Sequence, residues 1–345
     1  MGTLSQDALN RALIERQLLR ERAETSALAT IEHLFGVQAQ EPKSPYVGLW
    51  SRVEDFRPAE LEDLLTGRQA VRMLLMRGTI HLVSARDALG LRPLTQLKLD
   101  RELQSGPFAK RLRGLDFDEI AEAGRKILDD TAMGTADAGK LLQARWPDRE
   151  HTVLGNVLRN KLALVQVPPR GLWHTSGRAV CTTVENWLGQ PQRAVPRTEL
   201  VLRYLRAFGP ATVMDAQQWS GTTRLGEVFE QLRPQLVTFR TEAGKELFDL
   251  PDAPRPGADT ELPVRFLPEF DNILLAHADR RRVIADDRLG VVIGGKPTVL
   301  VDGYVVATWS IGKDRGVTVD YLDRVPKSRQ KAVDQEADRL RDWLC

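Results

Sequence analysis

The sequence predicts an α+β chain of three tandem winged-helix (helix-turn-helix) units, followed by a small C-terminal β-domain and a terminal helix. Three observations lead there. A pattern of helices followed by a two-strand hairpin recurs three times over residues 1–252. Gly and Pro fall where one helix of a unit must give way to the next. After Leu250 the composition shifts to the Pro- and Gly-rich "PDAPRPGADTELP", and short apolar runs with strand spacing follow it.

The first unit is expected over 1–90. "SQDALNRALIERQLLRER" places Leu9, Leu13, Gln17 and Leu18 at helical spacing behind Ser5, an N-cap residue. A second helix through "SALATIEHLFGV" delivers the chain to Gln38 and Gln40, and Pro42 and Pro45 forbid its continuation. Both glutamines should therefore sit at a helix end or in a turn. "RPAELEDLLTG" predicts a third helix, with Pro58 in its first turn and Gly67 at its stop. "AVRMLLMRGTIHLVS" then predicts two strands around Arg77 and Gly78.

A helical connector is expected over 91–130. The second unit, 131–190, has a helix near 137–145, a longer one near 149–162, the strand "LALVQV" and a turn at 168–171. In the third, 191–252, helices are separated by breaks at Gly209, Pro210 and Gly221, and a hairpin turns at Ala243 and Gly244. Over 253–345, "VRFLPEF", "GVVIGG", "TVLVDGYVVATWSI" and "GVTVDYL" are spaced as strands of a small barrel or sandwich. "KAVDQEADRLRDWLC" closes the chain as a helix with Val333, Ala337, Leu340 and Leu344 on one stripe.

Composition narrows the function classes. With 345 residues, 42% of them hydrophobic, the chain is long enough for two or three cores. No apolar run approaches the ~18 residues of a membrane span. The start "MGTLSQDALN" lacks a basic n-region and an apolar h-region, and Gln6 stands where a myristoylation pattern needs Ser or Thr. A cytoplasmic chain without a membrane anchor is expected. Two cysteines, Cys181 and Cys345, give neither a disulfide framework nor a zinc spacing. A net charge of +2 does not announce a nucleic-acid binder, but arginine dominates the basic residues, and its fork matches phosphate oxygens in pairs.

These units, together with "VQAQ", "RGTIHLVSARD", "RYLRAFGPATVMDAQQWSG" and above all "LPEFDNILLAHADR", resemble the winged-helix DNA glycosylases of AlkZ and YcaQ type. The resemblance runs from Leu4 to Leu344. It implies that Gln38, Ala39 and Gln40 are the catalytic motif, in the Gln-x-Gln form of the AlkZ branch, and that the substrate is an alkylpurine in double-stranded DNA. It implies helix-turn-helix units facing DNA and a β-hairpin probing the minor groove.

Amide chemistry gives a separate reason for two glutamines. Most enzymes that hydrolyse a glycosidic bond use one carboxylic acid to protonate the leaving group and one carboxylate to activate water. Glutamine does neither. A purine alkylated at its seven-position nitrogen is already cationic and departs as a neutral base, so the acid is dispensable. The oxocarbenium-like sugar that remains reacts with a water held in place, and an amide pair offers acceptors and donors to hold one. An amide dipole stabilises the cation more weakly than a carboxylate would, which confines such an enzyme to labile, positively charged lesions. Lys43 is adjacent, but a lone lysine there is read as a surface residue, and a monofunctional enzyme is expected.

Other residues are weighed beside these. Arg77 and His81 are candidates to line the lesion pocket, with His81 otherwise a strand residue bonded to backbone. Asp271, His277 and Asp279 do not have the spacing of a metal set, and structural roles are expected for them; no metal or cofactor is expected. Given the resemblance, Arg280, Arg281 and Arg282 are candidates for phosphate contact rather than a solvated run. Arg159, Lys161 and Arg224 sit where recognition helices meet phosphates, and Lys313 and Arg315 occupy a glycine-flanked turn suited to touching the DNA backbone. A monomer is expected. The rival reading is a non-catalytic winged-helix protein, either a transcription regulator or a lesion sensor.

Overall fold

The computed structural model describes residues 2–312 and 316–345; Lys313 and Arg315 lie outside them. It is a mixed α+β structure that divides into two compact units. One is formed by Met1–Arg57, Thr198–Trp219 and Arg224–Cys345, the other by Pro58–Arg197 and Ser220–Thr223. The helices before Arg57 and the hairpin after it fall in different units.

In the first unit, Ser5 caps the helix Gln6–Arg16 by accepting from Ala8 N at 3.2 Å, and Ser26 caps Ala27–His33 by accepting from Ala29 N at 3.1 Å. Each bond satisfies an N–H that the first helical turn leaves unpaired. The first helix stops short of the periodic run because Leu18 takes φ +55°. Arg16 is buried and donates to both Asp249 carboxylate oxygens, at 2.6 and 2.8 Å, and to Leu205 O. It thereby joins the N-terminal helix to the helix Arg197–Phe208 and to the hairpin Val237–Thr241 and Glu246–Asp249. That hairpin turns at Gly244, φ +78°, as expected. Gly2–Leu4 adds a parallel third strand, too short to leave a periodic signal.

Four rings, each fully buried, fix where the second helix ends. Phe35 stacks on Trp219 with centroids 5.3 Å apart, and Trp219 lies 5.3 Å from Tyr204 and 5.4 Å from Phe208. Such pairs add about 0.5–1.5 kcal/mol each beyond the area they bury.

The C-terminal strands form one four-stranded antiparallel sheet in the order Val317–Tyr321, Tyr304–Ile311, Thr298–Val301, Arg265–Leu267, rather than a barrel or sandwich. "GVVIGG" is not a strand either. Its core is the short helix Leu289–Ile293, in which Val292 is buried and Ile293 is exposed, so the run lacks the alternating or two-sided burial of a strand. The helix Lys327–Leu344 buries Val333 and Leu340, and its Glu336 accepts from Arg22 at 2.6 Å.

In the second unit the hairpin Ala70–Leu74 and Ile80–Ser84 and the hairpin Leu164–Gln166 and Cys181–Thr183 share one antiparallel sheet, joined by Arg72 opposite Gln166 and Met73 opposite Val165. The helix Phe117–Asp130, read from sequence as connector, shares a core with Thr135–Leu142 and His151–Lys161 through Ile120, Leu128, Leu142, Leu154 and Leu158. The last two helices touch backbone to backbone: a Cβ on Gly139 would lie 2.0 Å from His151 O, and one on Gly155 2.5 Å from Thr135 O.

Candidate active site

The stretch holding the two glutamines is shaped by left-handed residues. After Ala27–His33 the chain passes through Phe35 (φ +57°) and Gly36 (φ +94°), which end the helix and turn it into the two-residue strand Val37–Gln38. Gln38 thus lies on a short strand and not in the turn itself, a correction to the expectation. Gln40 lies in the bend that follows. Gln38 is 5% exposed and Ala39 is fully buried, whereas Gln40 is exposed. The two glutamines therefore stand in different surroundings, one buried and one exposed.

The strand is braced by a segment far along the chain. Asn272 Oδ1 accepts from Gln38 N at 3.3 Å, and Asn272 Nδ2 donates to Gly36 O at 2.5 Å. One side-chain amide pairs with the two backbone groups that flank Val37, as the backbone of a neighbouring strand would. Asn272 opens a short 3-10 turn, Asn272–Leu274, whose preceding residue Asp271 accepts from Ile273 N at 3.1 Å. Both Asp271 oxygens also accept from Arg52, at 2.7 and 2.9 Å. Arg52 in turn donates to Gly48 O and Gln17 O, both at 2.9 Å. The helix Ser44–Trp50, which follows the glutamines, is tied to the same region by Ser44 Oγ donating to Glu269 Oε2 at 2.8 Å.

Arg77 and His81 belong to the second unit. Arg77 occupies the turn Met76–Gly78 with φ +58°, and its Nη2 lies 3.3 Å from His81 Nε2. His81 Nδ1 lies 3.0 Å from Thr79 O, so the neutral ring donates from Nδ1 and accepts Arg77 at Nε2. Burial first, then the Arg77 charge, lowers the imidazole pKa to about 3 against the backbone bond to Thr79. With no exposed surface, His81 does not line a pocket; it anchors the partly exposed Arg77.

The candidate DNA contacts divide sharply. Arg282 is buried, donating to Pro210 O at 2.6 Å beside His277, and so cannot meet a phosphate; this corrects the reading of 280–282 as one basic surface run. Arg281 is exposed but bonded to both oxygens of Asp279, whose pKa that bond lowers to about 2. Arg280 is partly exposed. Lys161 pairs with Asp118 at 2.7 Å and Asp100 at 3.7 Å, while Arg159 and Arg224 are exposed, the latter just before the helix Gly226–Leu232 with φ +58°. Among the described residues no group of three or more His, Cys, Asp or Glu could hold a metal ion, and no helix is long and apolar enough to cross a membrane.

The family model described as "DNA glycosylase AlkZ-like" matches residues 31–343, a span that includes both glutamines and Asn272. The chain belongs to the AlkZ-like DNA glycosylase family. Its fold is also that of a solved member: Streptomyces sahachiroi DNA glycosylase AlkZ matches with a TM-score of 0.80 at 24% identity, covering 99% of this chain and 97% of the other. No curated protein matches. In this AlkZ-like chain, sequence reading found the Gln-x-Gln stretch but missed Asn272 and Arg52. The signal available was "EFDN" itself, prominent in the resemblance but without a partner visible along the sequence.

Proposed function

We propose that the protein is a monofunctional DNA glycosylase that hydrolyses the N-glycosidic bond of cationic, seven-position alkylated purines in double-stranded DNA. Gln38 and Gln40 hold the attacking water. The observation that carries this reading is membership of the AlkZ-like glycosylase family over a span containing a Gln-x-Gln stretch with one buried and one exposed amide. A buried amide keeps its orientation, and an exposed one can share a water between protein and substrate. The leaving base carries its own positive charge, so departure as a neutral purine needs no acid. Lys43 is exposed, and no Schiff-base step is assigned to it.

The helix-and-hairpin segments 1–90, 131–190 and 191–252 are read as winged-helix units that grip duplex DNA, with Arg159 and Arg224 as phosphate contacts. Bulky adducts and interstrand crosslinks obey the same leaving-group chemistry, so the proposed role spans repair of alkylation damage and self-resistance to an alkylating natural product. The test is a single-turnover assay on a duplex with one seven-methylguanine, scored by alkaline cleavage. Excision slowed at least tenfold, about 1.4 kcal/mol in barrier, by Gln38→Ala or Gln40→Ala supports the proposal. No excision, repeated on a bulky adduct, would leave a non-catalytic DNA-binding protein as the better reading.

A further inference from the structure

We infer that Asn272 is a positioning residue for the reaction, setting the Gln-x-Gln strand through a two-point side-chain clamp on Gly36 O and Gln38 N. The inference rests on the hydrolytic role proposed for Gln38. On one edge of this two-residue strand the amide of Asn272 supplies both a donor and an acceptor, as a neighbouring backbone would. The assignment of oxygen and nitrogen is forced: only Oδ1 can accept from an N–H, and only Nδ2 can donate to a carbonyl. Asn272 is 3% exposed, so water does not substitute for the clamp. Its own position is over-determined, because the preceding Asp271 is held by two bonds from Arg52 and by Ile273 N. The chain of contacts runs from Arg52 through Asp271 and Asn272 to the backbone of Gln38. A misplacement of about 1 Å in such a residue can lower a rate a hundredfold while leaving binding intact.

An aspartate at 272 would keep the size of asparagine but lose the donor and place a carboxylate oxygen against Gly36 O. The experiment compares the full-length parent with Asn272→Asp and Asn272→Ala. It measures single-turnover excision of seven-methylguanine at saturating enzyme, affinity for the same duplex, and deuterium uptake of a peptide spanning 36–42. Positioning predicts a maximal rate lowered about tenfold or more, affinity within about twofold of the parent, and faster uptake over 36–42 with unchanged uptake elsewhere. An excision rate within twofold of the parent in both variants would overturn it, as would a loss of rate matched by an equal loss of affinity or of folded protein. A parent that excises nothing defeats the hydrolytic reading alone, and deuterium uptake then judges the clamp: faster uptake in both variants upholds it, and unchanged uptake overturns it.

Discussion

Arg52 and Asp271, 219 residues apart in sequence, meet in a two-point ion pair with both side chains 1% exposed. Removing one partner strands a charge in apolar surroundings, at a cost of about 3–5 kcal/mol. Asp271→Asn and Arg52→Leu are each expected to lower the urea-unfolding free energy by that order, and the double variant with leucine at both positions should recover part of the loss. Single variants as stable as the parent would mean that the pair is solvated.

Acid should destabilise the protein through its buried histidines. His81 has a pKa of about 3 in the fold, against an ordinary 6.5, chiefly because of burial. Below pH 6.5 the unfolded chain therefore binds the extra proton. The contribution is complete above that pH and is lost progressively toward pH 3, at about 1.4 kcal/mol per pH unit. His277, lowered to about 3 by burial and by Arg282, acts in the same direction. Unfolding measured between pH 7 and 5 should show His81→Gln with a slope shallower by about one proton; an unchanged slope would mean that the ring is protonated in the fold.

Excision itself should be insensitive to pH. Neither glutamine titrates, and His81 stays neutral above pH 5. The single-turnover rate on seven-methylguanine is expected to vary less than about threefold between pH 6 and 8.5. A bell-shaped profile would place a titrating acid or base in the step.

Gly139→Ala tests the helix pair of the second unit. The added Cβ would fall 2.0 Å from His151 O, so the helices must separate, with a loss of about 1–3 kcal/mol expected. Gly155→Ala should cost a similar amount, and the double variant less than the sum, because one displacement relieves both clashes. Strict additivity would mean that the two contacts yield independently.

The basic residues should separate into two classes. Arg159→Ala and Arg224→Ala are expected to keep stability, weaken duplex binding and reduce the salt dependence of binding by about one counterion each. Arg282→Ala should lower the melting temperature instead, since it removes the bond to Pro210 O from a buried site. A reduced salt slope with unchanged stability for Arg282→Ala would return it to the DNA-facing set.

What the sequence made legible was local. Ser5 and the Pro58–Thr66 helix with its stop at Gly67 depend on neighbours within a few residues, and each lies where spacing put it. So do the hairpins turning at Arg77 and Gly78 and at Gly244, whose turn residues carry their own conformational signal, whereas the strand Cys181–Thr183, 14 residues beyond its partner, went unplaced. Asn272 was illegible as a brace because both its partners lie more than 230 positions earlier. Arg282 was misread because three consecutive arginines look alike until one of them points inward. "GVVIGG" was misread because a short apolar run carries no periodicity that separates a strand from a single helical turn.

The distance between Gln38 and Asn272 also bears on synthesis. A nascent chain extended only to residue 250 already carries both glutamines, yet the amide that braces them has still to be made. Pro58–Arg197, by contrast, is contiguous in sequence and can assemble early on the ribosome. If the glutamines act as proposed, competence for chemistry waits on translation of the final quarter, and fragments released by a stalled or broken message would carry the Gln-x-Gln stretch without its brace.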